Sequence, residues 1–237
     1  MQQTVQETTI LSNIFWKFLK GFLQLSSMIL IFRNINISDY GFYVTIISVF
    51  ELSAIFALPG VLKIALRSAL SNDGRFPHLL GLKFLFLPLL LLGFFFVPFW
   101  IAVPFLIATI ADQVSMFARV KLNEQKQYFV FNLFENLKPF FLILGVSFYI
   151  LIFEDEITLK YLAFLYCSSS IVTTLLNIIY AKKLASFSLT ISIPTKIDIL
   201  QSFFASGNGL IGIFIRRGVI LITALTLSST EVAYLNI

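Results

Sequence analysis

The chain reads as an all-α protein: a polytopic transmembrane helical bundle, with one six-helix lobe and the start of a second, parallel-repeat lobe. Three observations predict this. Of 237 residues, 58% are hydrophobic and only 12% are charged, against about 25% charged in a typical soluble domain, so too little polar surface remains to face water. The apolar residues gather in runs of roughly 20, the length a helix needs to cross the hydrocarbon core. A five-residue pattern that follows the first run recurs 192 positions later, after the seventh.

Seven runs qualify as spans, with approximate limits 10–32, 41–66, 79–97, 99–118, 129–152, 158–181 and 199–227. An eighth begins near Val232. Between the third and fourth, Pro98 and the pair Phe99-Trp100 mark a tight turn at an interface, where Trp prefers to lie. Pro59-Gly60, near the end of the second run, is expected to break or bend that helix and to offer a hinge. Met1 to Thr9 carries Glu7 and no positive charge, unlike the n-region of a secretory leader, so the first run is expected to be a retained helix.

Net charge is +5, which in a soluble protein would suggest a nucleic-acid partner. Here the basic residues sit mainly at the ends of apolar runs, which argues against nucleic acid and for membrane orientation. The first connection holds Arg33; the second holds Lys63, Arg67, Arg75 and Lys83; the third holds none. The fourth holds Arg119, Lys121 and Lys126, and the fifth Lys160 beside Glu154, Asp155 and Glu156. Lys182, Lys183 and Lys196 lie in the sixth, and the seventh has none. This alternation predicts a cytoplasmic N-terminus and cytoplasmic even-numbered connections.

The connections are short and insert no catalytic domain. The longest, Leu184 to Asp198, alternates polar and apolar residues from Ser186 to Ile193 before Pro194. Between two spans, this pattern is expected to form an extended or interfacial linker and the boundary between units 1–198 and 199–237. The recurring pattern is Ser38-Asp39-Tyr40-Gly41-Phe42 and Thr230-Glu231-Val232-Ala233-Tyr234. Six spans separate the copies, so both run in the same direction, as in a parallel repeat about an axis along the membrane normal. On this reading Ile237 lies inside the second helix of the second lobe. The expectation is then a truncated chain whose full form has about twelve spans, since half a span leaves backbone groups unpaired in lipid.

Ionisable side chains at mid-membrane cost roughly 2.5–3.5 kcal/mol on insertion scales and usually face an interior or a water-filled cavity. In the first span Asn13, Lys17, Lys20, Gln24 and Ser27 share one helical face, opposite Phe15, Leu19 and Phe22. Lys17 is also placed to snorkel to the headgroups, whereas Lys20 lies a turn deeper. The seventh span repeats the theme with Gln201, Asn208, Gly212 and Arg216, with Arg217 adjacent; Arg216 stands 192 positions after Gln24. A neighbouring helix's carboxylates are the alternative partners for those arginines. Glu51, Asp112 and Glu135 supply acid within the spans. Glu51 is suited to pairing with Lys20 or to binding a proton or cation. Glu135 and Lys138, three apart, are suited to pairing with each other, either at the interface or beside a lumen. The small residues Ala205, Ser206, Gly207 and Gly209 suit close helix packing.

No phosphate-binding P-loop and no metal-ligand spacing occur, so no cofactor is implied; His78 and Cys167 stand alone in their types. The stretch from Asn36 to Tyr43, followed by Leu58-Pro59-Gly60-Val61-Leu62-Lys63-Ile64-Ala65-Leu66-Arg67, resembles the opening of Wzx-type polysaccharide flippases. Leu227 to Tyr234 is similar to the start of that family's second lobe, with Ala233 where the turn usually has Gly. The resemblance implies the multidrug/oligosaccharidyl-lipid/polysaccharide exporter superfamily: two six-helix lobes around a central cavity, moving by alternating access. It implies a transporter, not an enzyme, in the bacterial inner membrane. The implied cargo is an undecaprenyl-diphosphate-linked oligosaccharide such as an O-antigen unit, and the implied setting is membrane lipid and polysaccharide polymerase machinery. Lys17, Lys20, Gln24, Asn208, Arg216 and Arg217 would then line the diphosphate path. The rival readings are a drug or cation exporter of the same fold, which favours an acidic cavity, and a membrane enzyme of polysaccharide assembly, which needs a large extramembrane loop.

Overall fold

A backbone in lipid must satisfy its hydrogen bonds internally, and this chain does so by remaining helical almost throughout. The computed structural model describes residues 2–56, 60–71, 74–88, 90–91, 97–153 and 156–235. Within its helices the side chains of 2–11, 51, 54–56, 69–71, 208–218, 221, 225 and 234–235 lie outside the description. Nine helices run through the described residues: α1 Gln2–Asn34, α2 Ile37–Phe56, α3 Gly60–Ser71, α4 Phe76–Phe86, α5 Phe99–Glu124, α6 Tyr128–Phe153, α7 Leu159–Ala185, α8 Lys196–Thr226 and α9 Ser229–Leu235. No strand forms among them; Ile35 and Ile157 make one isolated bridge.

Ser12–Asn34 of α1, together with α5, α6 and α7, are each long and apolar enough to cross a membrane; Ile37–Phe50 and Phe76–Phe86 are shorter apolar helices. Their outer faces carry Phe15, Phe18, Phe22, Leu144, Phe148, Leu151, Phe164 and Leu175, all exposed. An aqueous surface does not tolerate such a band, and the chain is a membrane protein.

Two apolar clusters occupy opposite ends of the bundle. Ile31, Ile35, Val97, Ile157 and Ala233 meet in one, joining the first, third, fifth and seventh connections. Ile157 donates its amide to the Asn34 carbonyl there, at 2.6 Å. Phe76, Phe117, Leu122, Ala185 and Phe187 meet in the other, joining the second, fourth and sixth. The described helices thus alternate between these two ends, and four of the seven expected spans are long and apolar enough to cross a membrane; the third expected run, 79–97, falls partly outside the described residues.

The expected second span is two helices, α2 and α3. Pro59, expected to bend this run, lies outside the described residues. Gly60 opens α3, buried on α8: its amide donates to Ser206 Oγ at 2.9 Å, and an added Cβ would stand 2.2 Å from the Ser202 carbonyl oxygen. Glycine is required by that close approach. Several helices outrun their apolar runs; α5 continues to Glu124 and α7 to Ala185, because backbone bonding continues after hydrophobicity ends.

Capping explains the sharp starts. Thr195 and Asp198 form a reciprocal box at the start of α8, the Thr195 hydroxyl accepting from the Asp198 amide and the Asp198 carboxylate accepting from the Thr195 amide. Ser228 and Glu231 do the same for α9. Residues 186–195 form a linker that is neither helix nor strand, entered through Ser186 in the left-handed region, and the Ser192 amide donates to the Pro77 carbonyl at 3.1 Å. Gly81 of α4 lies so near this linker that a Cβ would meet the Ser192 carbonyl oxygen at 2.0 Å.

Helix ends also reproduce the 192-residue offset. Asn34 ends α1 and Thr226 ends α8; Ile37 begins α2 and Ser229 begins α9. Asn36 accepts from the Tyr40 amide as Ser228 accepts from the Val232 amide, again at that spacing. The two turns pack together: Ser38 and Ser229 hydroxyls are 2.7 Å apart, and a Cβ on Gly41 would overlap the Ser229 carbonyl.

Candidate functional site

Helices α1, α5, α6 and α7 carry the polar side chains from which the candidate site is built. The stripe on α1 divides in two. Asn13, Lys20 and Ser27, seven residues apart, turn toward α6 or into the helix itself. The Asn13 side-chain oxygen accepts from Asn132 at 3.1 Å, Lys20 donates to Glu135 at 2.9 Å, and the buried Ser27 hydroxyl bonds the Gln24 carbonyl. Lys17 and Gln24 stay exposed at the edge of the stripe. Phe15 and Phe22 lie on the exposed face, as their spacing predicts.

Five charged groups form two linked arrays. Glu135 of α6 lies between Lys20 of α1 and Arg119 of α5, whose Nη1 is 3.6 Å from the same carboxylate oxygen. Lys138, one turn further along α6, donates to Asp112 of α5 at 2.5 Å and sits 3.7 Å from the centroid of the Tyr166 ring of α7. The expected Glu135–Lys138 pair does not form. Each side chain takes a partner on another helix, where low dielectric makes a tertiary ion pair stronger than a neighbouring pair on one helix. Lys20 finds Glu135; the side chain of Glu51, its expected partner, lies outside the described residues, as do those of Asn208, Arg216 and Arg217.

Two residues absent from the predicted site belong to this interior. Arg119, assigned by sequence to the fourth connection, is inside α5 with its side chain 17% exposed. Its Nε is buried without a hydrogen-bond partner. Lys83, assigned to the second connection, is buried on α4 beside Gln113 and Phe117. Helical phase could have marked Arg119: it lies seven residues from Asp112, on the same face of α5.

The hydroxyl-rich face of α7 continues the polar interior. Asn177 donates to Ser115 of α5 at 2.8 Å, and Thr174 donates to the Ala111 carbonyl at 2.9 Å. Pro139 lies inside α6; its ring removes the amide that would bond the Glu135 carbonyl. The helix is thus weakened at the residue holding the first array. Among the described residues no group of His, Cys, Asp and Glu has the makings of a metal site.

A third ionic contact lies at the end of the bundle holding the second, fourth and sixth connections. Arg75, before α4, bonds the buried Asp198 carboxylate and also Gln201. Burial raises the Asp198 pKa, but hydrogen bonds from Thr195 and Arg75 outweigh it and hold the carboxyl below its ordinary range. His78 Nδ1 meets the Ile193 carbonyl at 2.7 Å. Sequence placed Arg75 in the second connection and Asp198 at the end of the sixth without pairing them, and read Gln201 as part of the polar face of the seventh span.

No protein-family model matches the chain, and no curated protein and no solved structure matches it.

Proposed function

We propose that the protein is a flippase that moves an undecaprenyl-diphosphate-linked oligosaccharide, such as an O-antigen unit, across the bacterial inner membrane. The observation that carries this reading is the intramembrane charge array. Lys20, Arg119 and Lys138 outnumber Glu135 and Asp112, with Lys17 exposed on the same face of α1. A membrane interior tolerates a cationic excess only beside an anion or water, and a diphosphate is an anion that must cross. The matching helix ends at an offset of 192 support two parallel lobes around the path, with the N-terminus and even-numbered connections in the cytoplasm. A drug or cation exporter would draw on free carboxylates, and both carboxylates of the array are held by cations.

The test is complementation in a bacterium whose own oligosaccharide flippase is deleted. Lys20→Ala and Arg216→Ala are expected to abolish surface-polysaccharide export while membrane insertion stays normal. Unchanged polysaccharide in both variants would remove the cationic path from consideration.

A further inference from the structure

We infer that Lys20 and Arg119 form the subsite for a phosphate oxyanion, and that Glu135 occupies it in the unloaded protein as a resident carboxylate which the incoming anion displaces. This rests on the anion-path reading and adds a named site with a gatekeeper. Three helices meet at a single oxygen: Glu135 Oε1 is 2.9 Å from Lys20 Nζ and 3.6 Å from Arg119 Nη1. The second distance is an ion pair beyond hydrogen-bonding reach. That contact leaves the guanidinium without a hydrogen bond to Glu135, and its Nε is buried without a partner.

A guanidinium is a planar fork that suits two oxygens at once, and one shared carboxylate oxygen does not meet that demand. A phosphate group offers several oxygens and bridges fork and ammonium together. Charge leads to the same point. Lys20 and Arg119 both face the Glu135 carboxylate; Asp112 also lies within electrostatic reach of Arg119, but its hydrogen bond goes to Lys138, which sits over the Tyr166 ring. Without Glu135 the subsite would hold two like charges at low dielectric, a state stable only with an anion present. Carboxylate and phosphate are thus alternatives for one place. Pro139 leaves the Glu135 carbonyl without its helical donor, which softens α6 at the residue that has to withdraw. Lys17 and Gln24, exposed three and four residues from Lys20 on α1, flank the approach.

The test measures binding of inorganic pyrophosphate to the purified chain in phosphatidylcholine nanodiscs by titration calorimetry. A competing internal carboxylate reduces apparent affinity by the fraction of open sites. Glu135→Gln is therefore expected to tighten pyrophosphate binding by about tenfold if roughly one site in ten is open in the native protein. Arg119→Lys, which keeps charge and bulk but loses the fork, is expected to weaken binding, and Arg119→Gln to cancel the gain of Glu135→Gln. Doping the discs with undecaprenyl diphosphate is expected to compete with pyrophosphate, which identifies the lipid-borne phosphate as occupant. Phosphatidylglycerol at the same fraction is expected not to compete, and competition from it would overturn the diphosphate assignment. Pyrophosphate affinity unchanged in both Glu135→Gln and Arg119→Lys overturns the subsite. If Glu135→Gln tightens binding while Lys20→Ala leaves export intact, the subsite stands and the flippase reading falls. If export needs Lys20 but pyrophosphate ignores Glu135 and Arg119, the path stands and the subsite falls.

Discussion

Glu135 and Lys138 stand one turn apart on α6, yet each finds its partner on another helix. A neighbouring pair on an exposed helix contributes roughly 0.2–0.5 kcal/mol, and a part-buried tertiary pair can exceed that. Sequence spacing shows who is close along one helix and not who arrives from another. The same limit hid Arg119, which counted as a loop cation until α5 extended past it. Asp112 and Lys138 give a direct check. Asp112→Asn leaves an ammonium enclosed without its carboxylate and is expected to cost about 2 kcal/mol, discounted for partial exposure from the 3–5 of a fully buried pair. The doubly apolar Asp112→Leu, Lys138→Met protein should regain most of that loss. Thermal unfolding in detergent measures both, and a double variant no more stable than the single one would contradict the pairing.

At the scale of elements, backbone contact decides how α8 and α9 dock. Three glycines of the preceding helices make it: Gly41 against Ser229, Gly60 against Ser202 and Ser206, and Gly81 against the linker at Ser192. The small residues read from the sequence of α8 are used unevenly. Ser206 bonds Gly60, and Ala205 packs beside it, whereas Gly207 faces open space. Small residues permit close packing, but which of them meets a neighbour depends on the crossing point. A Gly41→Val side chain has no room against the Ser229 carbonyl. With Cys167 replaced by Ser, the pair Ser38→Cys and Ser229→Cys is expected to oxidise readily to a crosslink, since the native hydroxyls are 2.7 Å apart. Adding Gly41→Val should cut crosslink yield severalfold. Equal yields would show that α2 and α9 do not meet there.

Across the whole molecule, connections segregate by parity: odd ones share one apolar cluster and even ones the other. Lys121 stacks on Phe76, and Phe187 meets the same ring edge-on, so basic connections converge on one end. If that end is cytoplasmic, single cysteines report it in a Cys167→Ser background. Asn36→Cys and Glu156→Cys are expected to react with a membrane-impermeant maleimide in intact cells. Lys126→Cys and Ser186→Cys should react only after permeabilisation. The opposite pattern would invert the topology and place the basic end outside.

The sequence by itself determined the helical class, the four long apolar helices, the alternation of the described connections between two ends and the offset at which helix ends recur. These depend on hydrophobic run length, proline and glycine punctuation and capping residues, all of which act over a few neighbouring positions. Only the tertiary structure decided that Lys20 meets Glu135, that Arg119 completes the array and that Lys83 is buried. Those outcomes depend on the rotation of each helix about its axis and on which faces approach. That choice is made by packing between segments more than 100 residues apart, as the spacing of 115 between Lys20 and Glu135 illustrates.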